Sequence, residues 1–157
     1  MHYVNIATAT ILTGWSERTL WRRFADGSVI RSDKNPQNGK VMVLLDSISS
    51  HFCISLNSPE DLALIQAADN GDAEAQTDMA LIFHAQKKFE ACVYWLQLAE
   101  KKDYPPAMRW LGTCYIKGEG IETNDNMGIM WLAKSAAFGD PISQAQIKGM
   151  KDRLRSQ

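Results

Sequence analysis

Leu111-Gly112-Thr113-Cys114-Tyr115-Ile116-Lys117-Gly118-Glu119-Gly120-Ile121 is the stretch on which the fold turns, because its surroundings recur elsewhere in the chain. Downstream, Trp131-Leu132-Ala133-Lys134-Ser135-Ala136-Ala137-Phe138-Gly139 repeats, at an offset of 36 residues, the run from Trp95 to Asp103. Upstream, Gly71-Asp72-Ala73-Glu74-Ala75 recurs 32 residues later as Asp103-Tyr104-Pro105-Pro106-Ala107, and after a further 36 as Gly139-Asp140-Pro141-Ile142-Ser143. Self-similarity at such a period means that each unit is one supersecondary element burying its apolar face against its neighbours. Ala75, Met79 and Phe83 are spaced four apart, as are Ala107, Leu111 and Tyr115, so each set lines one face of a helix. A second helix in each unit presents Trp95 with Ala99, or Trp131 with Ser135. The small residue lets two helices approach and the tryptophan fills the groove, so both tryptophans are expected in the core.

The pattern Leu-Gly-x-x-Tyr-x-x-Gly-x-Gly-Ile, intact from Leu111 to Ile121, resembles the Sel-type repeats, relatives of the tetratricopeptides. Asp125, Trp131, Ala136, Gly139 and Asp140 extend the resemblance, which spans about residues 62 to 154. The first unit departs from it: His84-Ala85-Gln86-Lys87 lacks the Gly-x-Gly loop and is four residues shorter. The resemblance implies an array of helical hairpins that mediates protein-protein interaction. About two and a half units are present where such arrays usually need about three. The helix from Ser58 to Asp69 is therefore expected to cap one end and that from Pro141 to Arg155 the other, with a homodimer as the other way of covering an end.

Ahead of the repeats the pattern changes. Tyr3 to Ile6 reads as a short extended entry, Ala7 to Thr13 as a helix closed by Gly14, and Ser16 as the N-cap of a second helix carrying Leu20 and Phe24. Two short helices joined by a Gly-containing turn make a helix-turn-helix. Val29-Ile30-Arg31 and Val41-Met42-Val43-Leu44 flank Asn38-Gly39, a hairpin turn signal, and so read as a two-stranded wing. Asp46 is a cap for one last short helix with Ile48 and Phe52 turned inward. Ser58, Pro59, Glu60 and Asp61 then start a new helix, which places the domain boundary near Asn57.

Gly14-Trp15-Ser16-Glu17-Arg18-Thr19-Leu20-Trp21-Arg22-Arg23, with Gly27 and Ile30, resembles the winged helix-turn-helix of the MerR and phage-excisionase group over about residues 3 to 52. The resemblance implies binding to double-stranded DNA, with Ser16, Arg18, Trp21, Arg22 and Arg23 in the major groove and Arg31, Lys34, Asn38 and Lys40 on the wing. The expected architecture is thus mainly α: a winged helix-turn-helix over residues 1–57, then a short α-solenoid of Sel-type hairpins over 58–157.

Charge divides along the same line. Residues 1–57 hold six Lys and Arg against four Asp and Glu, and the remainder eleven against fourteen, in a chain of 157 residues with net charge −1. Clustered arginines give the salt-sensitive affinity that phosphate contacts need, but a balance of +2 makes one copy a weak DNA ligand, and Glu17, Asp26 and Asp33 lie close by. A scaffold in which the helix-turn-helix serves protein docking is therefore the alternative to a DNA-binding adaptor. Trp21 reads as partly buried and Trp15 as a core plug. Trp110 falls roughly 100° from the apolar direction of its helix. It either packs on a neighbouring helix or anchors a partner together with Met108 and Arg109, three residue types enriched at interfaces.

Composition, at 45% hydrophobic and 22% charged, is that of a globular chain, and no apolar run approaches the roughly 20 residues of a membrane span. The order of a secretory signal is missing from Met1 to Gly14, so the expected location is cytoplasmic. Cys53, Cys92 and Cys114 form no C-x-x-C and suit reduced thiols in packing positions. His2, His51 and His84 are too dispersed for a zinc site. No acid pair converges and Gly118-Glu119-Gly120 has no phosphate-loop context, so neither a catalytic residue nor a cofactor is assigned and no enzyme is expected.

Overall fold

The computed structural model describes residues 1–32, 39–56 and 58–157. These form two compact units, Met1–Asn70 and Gly71–Gln157.

In the first unit, strand β1 (Tyr3–Asn5) runs straight into helix α1 (Ile6–Thr13), and Asn5 caps it by accepting the Thr8 N–H at 2.8 Å. Gly14 ends α1 in the left-handed conformation with its N–H on the Thr10 carbonyl. Ser16 then caps α2 (Glu17–Ala25) by accepting the Thr19 N–H. Strand β2 (Met42–Leu44) pairs antiparallel with β1, with Val4 opposite Val43. Its other edge engages the 30–32 segment, through Leu44 N–H to the Ile30 carbonyl at 2.8 Å and Ser32 N–H to the Met42 carbonyl at 2.9 Å. Among the described residues the sheet has two strands, β1 and β2, and the 29–31 segment, expected as the first strand of a wing, contributes an isolated bridge of Arg31 with Val43 instead of a strand. Asn38, the first half of the expected turn, lies outside the described residues. Instead of one helix after Asp46 there are two 3-10 turns, Leu45–Ser47 and Ser49–His51, with Ile48 buried and Phe52 half-buried.

Helix α3 (Pro59–Asp69) starts with a reciprocal capping box between Ser58 and Asp61. The sequence assigned this helix to the repeat array; its contacts place it in the first unit. Gln66 donates to the Tyr3 carbonyl at 3.2 Å, and the Asp69 carboxylate accepts from the Asn5 N–H and, at 2.5 Å, from the Thr8 hydroxyl. The unit therefore ends at Asn70, past the boundary expected at Asn57. Val4, Ala9, Leu12, Leu20, Val43, Leu45, Ile48 and Ile65 make its core.

The second unit is a run of helices, α4 (Ala73–Ala85), α5 (Phe89–Glu100), α6 (Pro105–Lys117), α7 (Asp125–Ala137) and α8 (Pro141–Arg155), each packed on the next, with α4 also touching α6. The repeat is visible in its joints. Asp72 caps α4 and Asp140 caps α8 through the same carboxylate-to-N–H bond. The residue preceding each first helix by a short step, Gly71, Asp103 or Gly139, has positive φ in all three cases. Asp103 takes that conformation at φ 55° without glycine's freedom. Ala75, Met79, Phe83, Ala107 and Leu111 are buried as the spacing requires, while Tyr115 is half-buried.

Helices α6 and α7 meet across Gly112 and Gly128: a Cβ on Gly112 would lie 2.8 Å from the Gly128 carbonyl oxygen. Trp95 is fully buried, but Trp131 is only half-buried, contrary to the expectation that the two are equivalent. The Lys134 ammonium of its own helix lies 5.0 Å from its ring centroid, and its indole Nε1 is buried without a partner among the described residues.

Candidate interaction surfaces

On the first unit, α2 turns Leu20 inward and leaves Arg18, Trp21, Arg22 and Ala25 exposed along one stripe at i, i+3, i+4 and i+7. Trp21 keeps 41% of its surface open. It is steadied edge-on by Phe24 at 5.3 Å, with the Arg31 guanidinium 5.9 Å from its ring centroid. Arg18, Trp21, Arg22 and Arg31 are therefore brought together. Arg23 is not part of this stripe. It is half-buried and lies over Trp15 at 4.1 Å, with its Nε buried and unpaired among the described residues. Trp15 itself is half-buried between Arg23 and His51, whose ring is 4.9 Å away, and so is a stacking platform rather than a core plug. The Ser16 hydroxyl is already engaged as the N-cap and with the Thr19 hydroxyl at 3.0 Å. Lys40 is exposed, while Lys34 and Asn38 lie outside the described residues. Asp26, near the foot of the stripe, is held below the usual carboxylate range by hydrogen bonds from Ser28 and then by Arg23 and Arg22.

On the second unit, the trio Met108, Arg109 and Trp110 separates. Met108 is fully buried, which leaves it no face for a partner. Arg109 donates from Nε to Asp140 Oδ2 at 3.0 Å, tying α6 to the cap of α8. Trp110 is half-buried, flanked by Arg109 and by the His84 ring, each about 5.6 Å from its own. It packs toward α4, so of its two expected roles the structure shows the contact with a neighbouring helix.

Sequence reasoning missed what His84 does. Its Nε2 meets Glu119 Oε2 at 2.7 Å and its ring meets Phe89 at 5.1 Å, so the Gly-x-Gly loop of one hairpin is fastened to the turn of the previous one. Gly120 completes the joint, since its φ is +74° and any Cβ there would strike the Phe89 carbonyl. The sequence signal was the loop itself, but its partner 35 residues away carries no local mark. A second missed feature is electrostatic. Exposed Asp72, Glu74 and Asp78 on and beside α4 face Tyr104, whose hydroxyl is pushed up by burial first and then by these three acids in the order Glu74, Asp78, Asp72. Among the described residues, no three His, Cys, Asp or Glu groups come together as metal ligands, and no helix is long and apolar enough to cross a membrane.

The stacked hairpins have the fold of Sel1-repeat proteins. The chain is similar to c5321, a protective antigen of uropathogenic Escherichia coli displaying an SLR fold, with TM-score 0.52 and 24% identity over 57% of this chain and 20% of that one. It is also similar to a Sel1 repeat protein of Oxalobacter formigenes, with TM-score 0.53 and 20% identity over 66% of this chain and 31% of that one. Among curated proteins it resembles DAP3-binding cell death enhancer 1 of Rattus norvegicus, at 29% identity over 60% of this chain and 20% of the relative. The chain thus spans about a fifth of the length of that relative. No protein-family profile matches it.

Proposed function

We propose that the chain is a non-catalytic scaffold or adaptor whose Sel-type hairpins bind a protein partner. The observation that carries this reading is the hairpin stack, which spends its residues on packing and on joints between repeats and offers an acid-rimmed surface around Tyr104. A relative named for binding a protein points the same way. The test is photo-crosslinking in the source cells with a benzophenone residue at exposed Asp78 on α4, beside a control at exposed Ile129 on α7. A discrete protein adduct from position 78 is the expected result. No protein adduct from either position would overturn the scaffold reading.

A second reading keeps the first unit as a DNA-binding module, as its resemblance to the MerR and excisionase group suggests. It is favoured by one observation: Arg18, Trp21, Arg22 and Arg31 form an accessible basic and aromatic patch. A gel shift on random duplex at two salt concentrations tests it. Arg18→Ala/Arg22→Ala is expected to bind more weakly, with a salt slope lower by about one for each phosphate no longer neutralised. Equal binding by the double variant removes this reading and leaves the patch to protein docking.

A further inference from the structure

Helix α7 packs inward through Gly128, Leu132 and Ser135. At the spacing of helical turns its opposite side presents Asn126, Ile129, Met130, Ala133 and Ala137, all exposed and none charged. This is not how the preceding hairpin treats its outer face. At the offset of 36 residues the same positions hold Glu90, Val93, Tyr94, Gln97 and Lys101, along α5 and its C-cap. There the exposed members are the polar Glu90, Gln97 and Lys101, while Val93 is 6% exposed. On α7 those three polar side chains are exchanged for Asn126, Ala133 and Ala137, and Ile129 and Met130 between them keep 44% and 43% of their surfaces open. Just past the helix the exchange continues, with exposed Phe138 in the place of exposed Lys102. Solvent has been given a polar face on one hairpin and an apolar one on the next.

We propose that this stripe pairs with a second copy of itself, two chains associating about a two-fold axis at Ala133 with their α7 helices antiparallel. The pairing is independent of which partner the hairpins bind.

The order of side-chain sizes selects this occupant. Large residues, Ile129 and Met130, precede position 133, and small ones, Ala133 and Ala137, stand at it and after it. A two-fold axis there lays the residue four before 133 over the residue four after it in the other copy, so Ile129 fills the space above Ala137. Alanine meets alanine on the axis, where the helices approach most closely. A parallel pairing would set Ile129 against Ile129 and leave Ala137 facing Ala137 across a gap. With no charge on the stripe, no like-charged pair is forced together, and the antiparallel helix dipoles attract. Helix α7 has 13 residues and is roughly 20 Å long. One such face from each copy buries less than the roughly 1,200 Å² at which standard interfaces begin, so the dissociation constant should be about 10–100 µM.

Sedimentation equilibrium of the full chain from about 5 to 500 µM brackets that constant, and the mean mass should rise from one chain toward two. Ala133→Glu brings two carboxylates together on the axis and should weaken association at least about tenfold with an unchanged circular dichroism spectrum, whereas Gln97→Glu, at the equivalent position of α5, should leave it unaltered. Cross-linking reads the two-fold. In a Cys53→Ala background, with Cys92 and Cys114 buried, Ala133→Cys should form an intermolecular disulfide under copper–phenanthroline. Ala137→Cys should not, because its two copies stand about 12 Å apart along the helices. A benzophenone at Ile129 should give an adduct of two chains, distinct from a partner adduct made at Asp78. A single-chain mass at every concentration would overturn the proposal and leave the stripe to a different protein. A dimer indifferent to Ala133→Glu would overturn the surface, and a bridge at 137 as ready as that at 133 would overturn the antiparallel two-fold.

Discussion

Replacing Gly112 by alanine sets two effects of known size against each other. In a helix interior the change gains about 1 kcal/mol from reduced backbone entropy. At position 112, however, the new methyl would lie 2.8 Å from the Gly128 carbonyl oxygen and 3.2 Å from Leu132 Cγ. The nearer atom is backbone, so relief requires α7 to move outward by several tenths of an ångström. Overpacking of this kind costs about 1–3 kcal/mol, because a gap of that width forfeits a quarter or more of each dispersion contact along the seam. The seam also carries the buried Ser135 hydroxyl, which donates to the Pro105 carbonyl at 2.7 Å and accepts from Ser143 at 3.0 Å, bonds that weaken with displacement. Gly112→Ala should therefore lose about 1–2 kcal/mol net. Gly149 in α8 has nothing within 4 Å of its would-be Cβ, so Gly149→Ala should gain about 0.5–1 kcal/mol. Urea denaturation of both variants, followed by circular dichroism at constant m-value, reads the difference. Equal stabilisation by the two substitutions would refute the claim that a glycine contact sets the α6–α7 distance.

Trp95→Ala should cost about 3–5 kcal/mol as a fully buried aromatic, and Trp131→Ala roughly half as much; equal losses in denaturant titration would contradict their different burial. Asp103→Gly should stabilise by up to about 1 kcal/mol by relieving a left-handed residue, visible as a higher thermal midpoint. Asp69 titrates above the normal value of 3.8 because burial outweighs the hydrogen bonds from Thr8 and Asn5. The folded state thus holds the proton more tightly than the unfolded one, and the stability gained is complete below 3.8 and lost as pH rises through the folded value. Asp69→Asn should flatten that rise on acidification while keeping an acceptor for Thr8, whereas Asp69→Ala should lose about 1–3 kcal/mol; a pH series of denaturant midpoints distinguishes them.

The repeat register, the caps at Ser16 and Ser58, and the helical seam at Ala107 and Leu111 were legible because each is a local pattern of residue types. The assignment of α3 was not. Its capping box was readable, but the bonds that attach it, from Asp69 to Asn5 and Thr8 and from Gln66 to Tyr3, join residues more than 60 apart. Trp131 shows the same limit from the other side: alignment gave its register correctly and its burial wrongly, because equivalence within a repeat says nothing about what is stacked over it. On α2, spacing separated Leu20 from Arg18 and Arg22 correctly. It could not foresee that Arg23 would turn onto Trp15, a contact made by the bend between α1 and α2.

The meeting of Gly120 with Phe89 is one of main chain with main chain. The separation at this joint is consequently limited by peptide geometry, with the His84–Glu119 pair and the His84–Phe89 ring contact fastening it from the side. Any side chain at position 120 has to push the start of α5 away, so this joint tolerates a change of clasp better than a change of spacer.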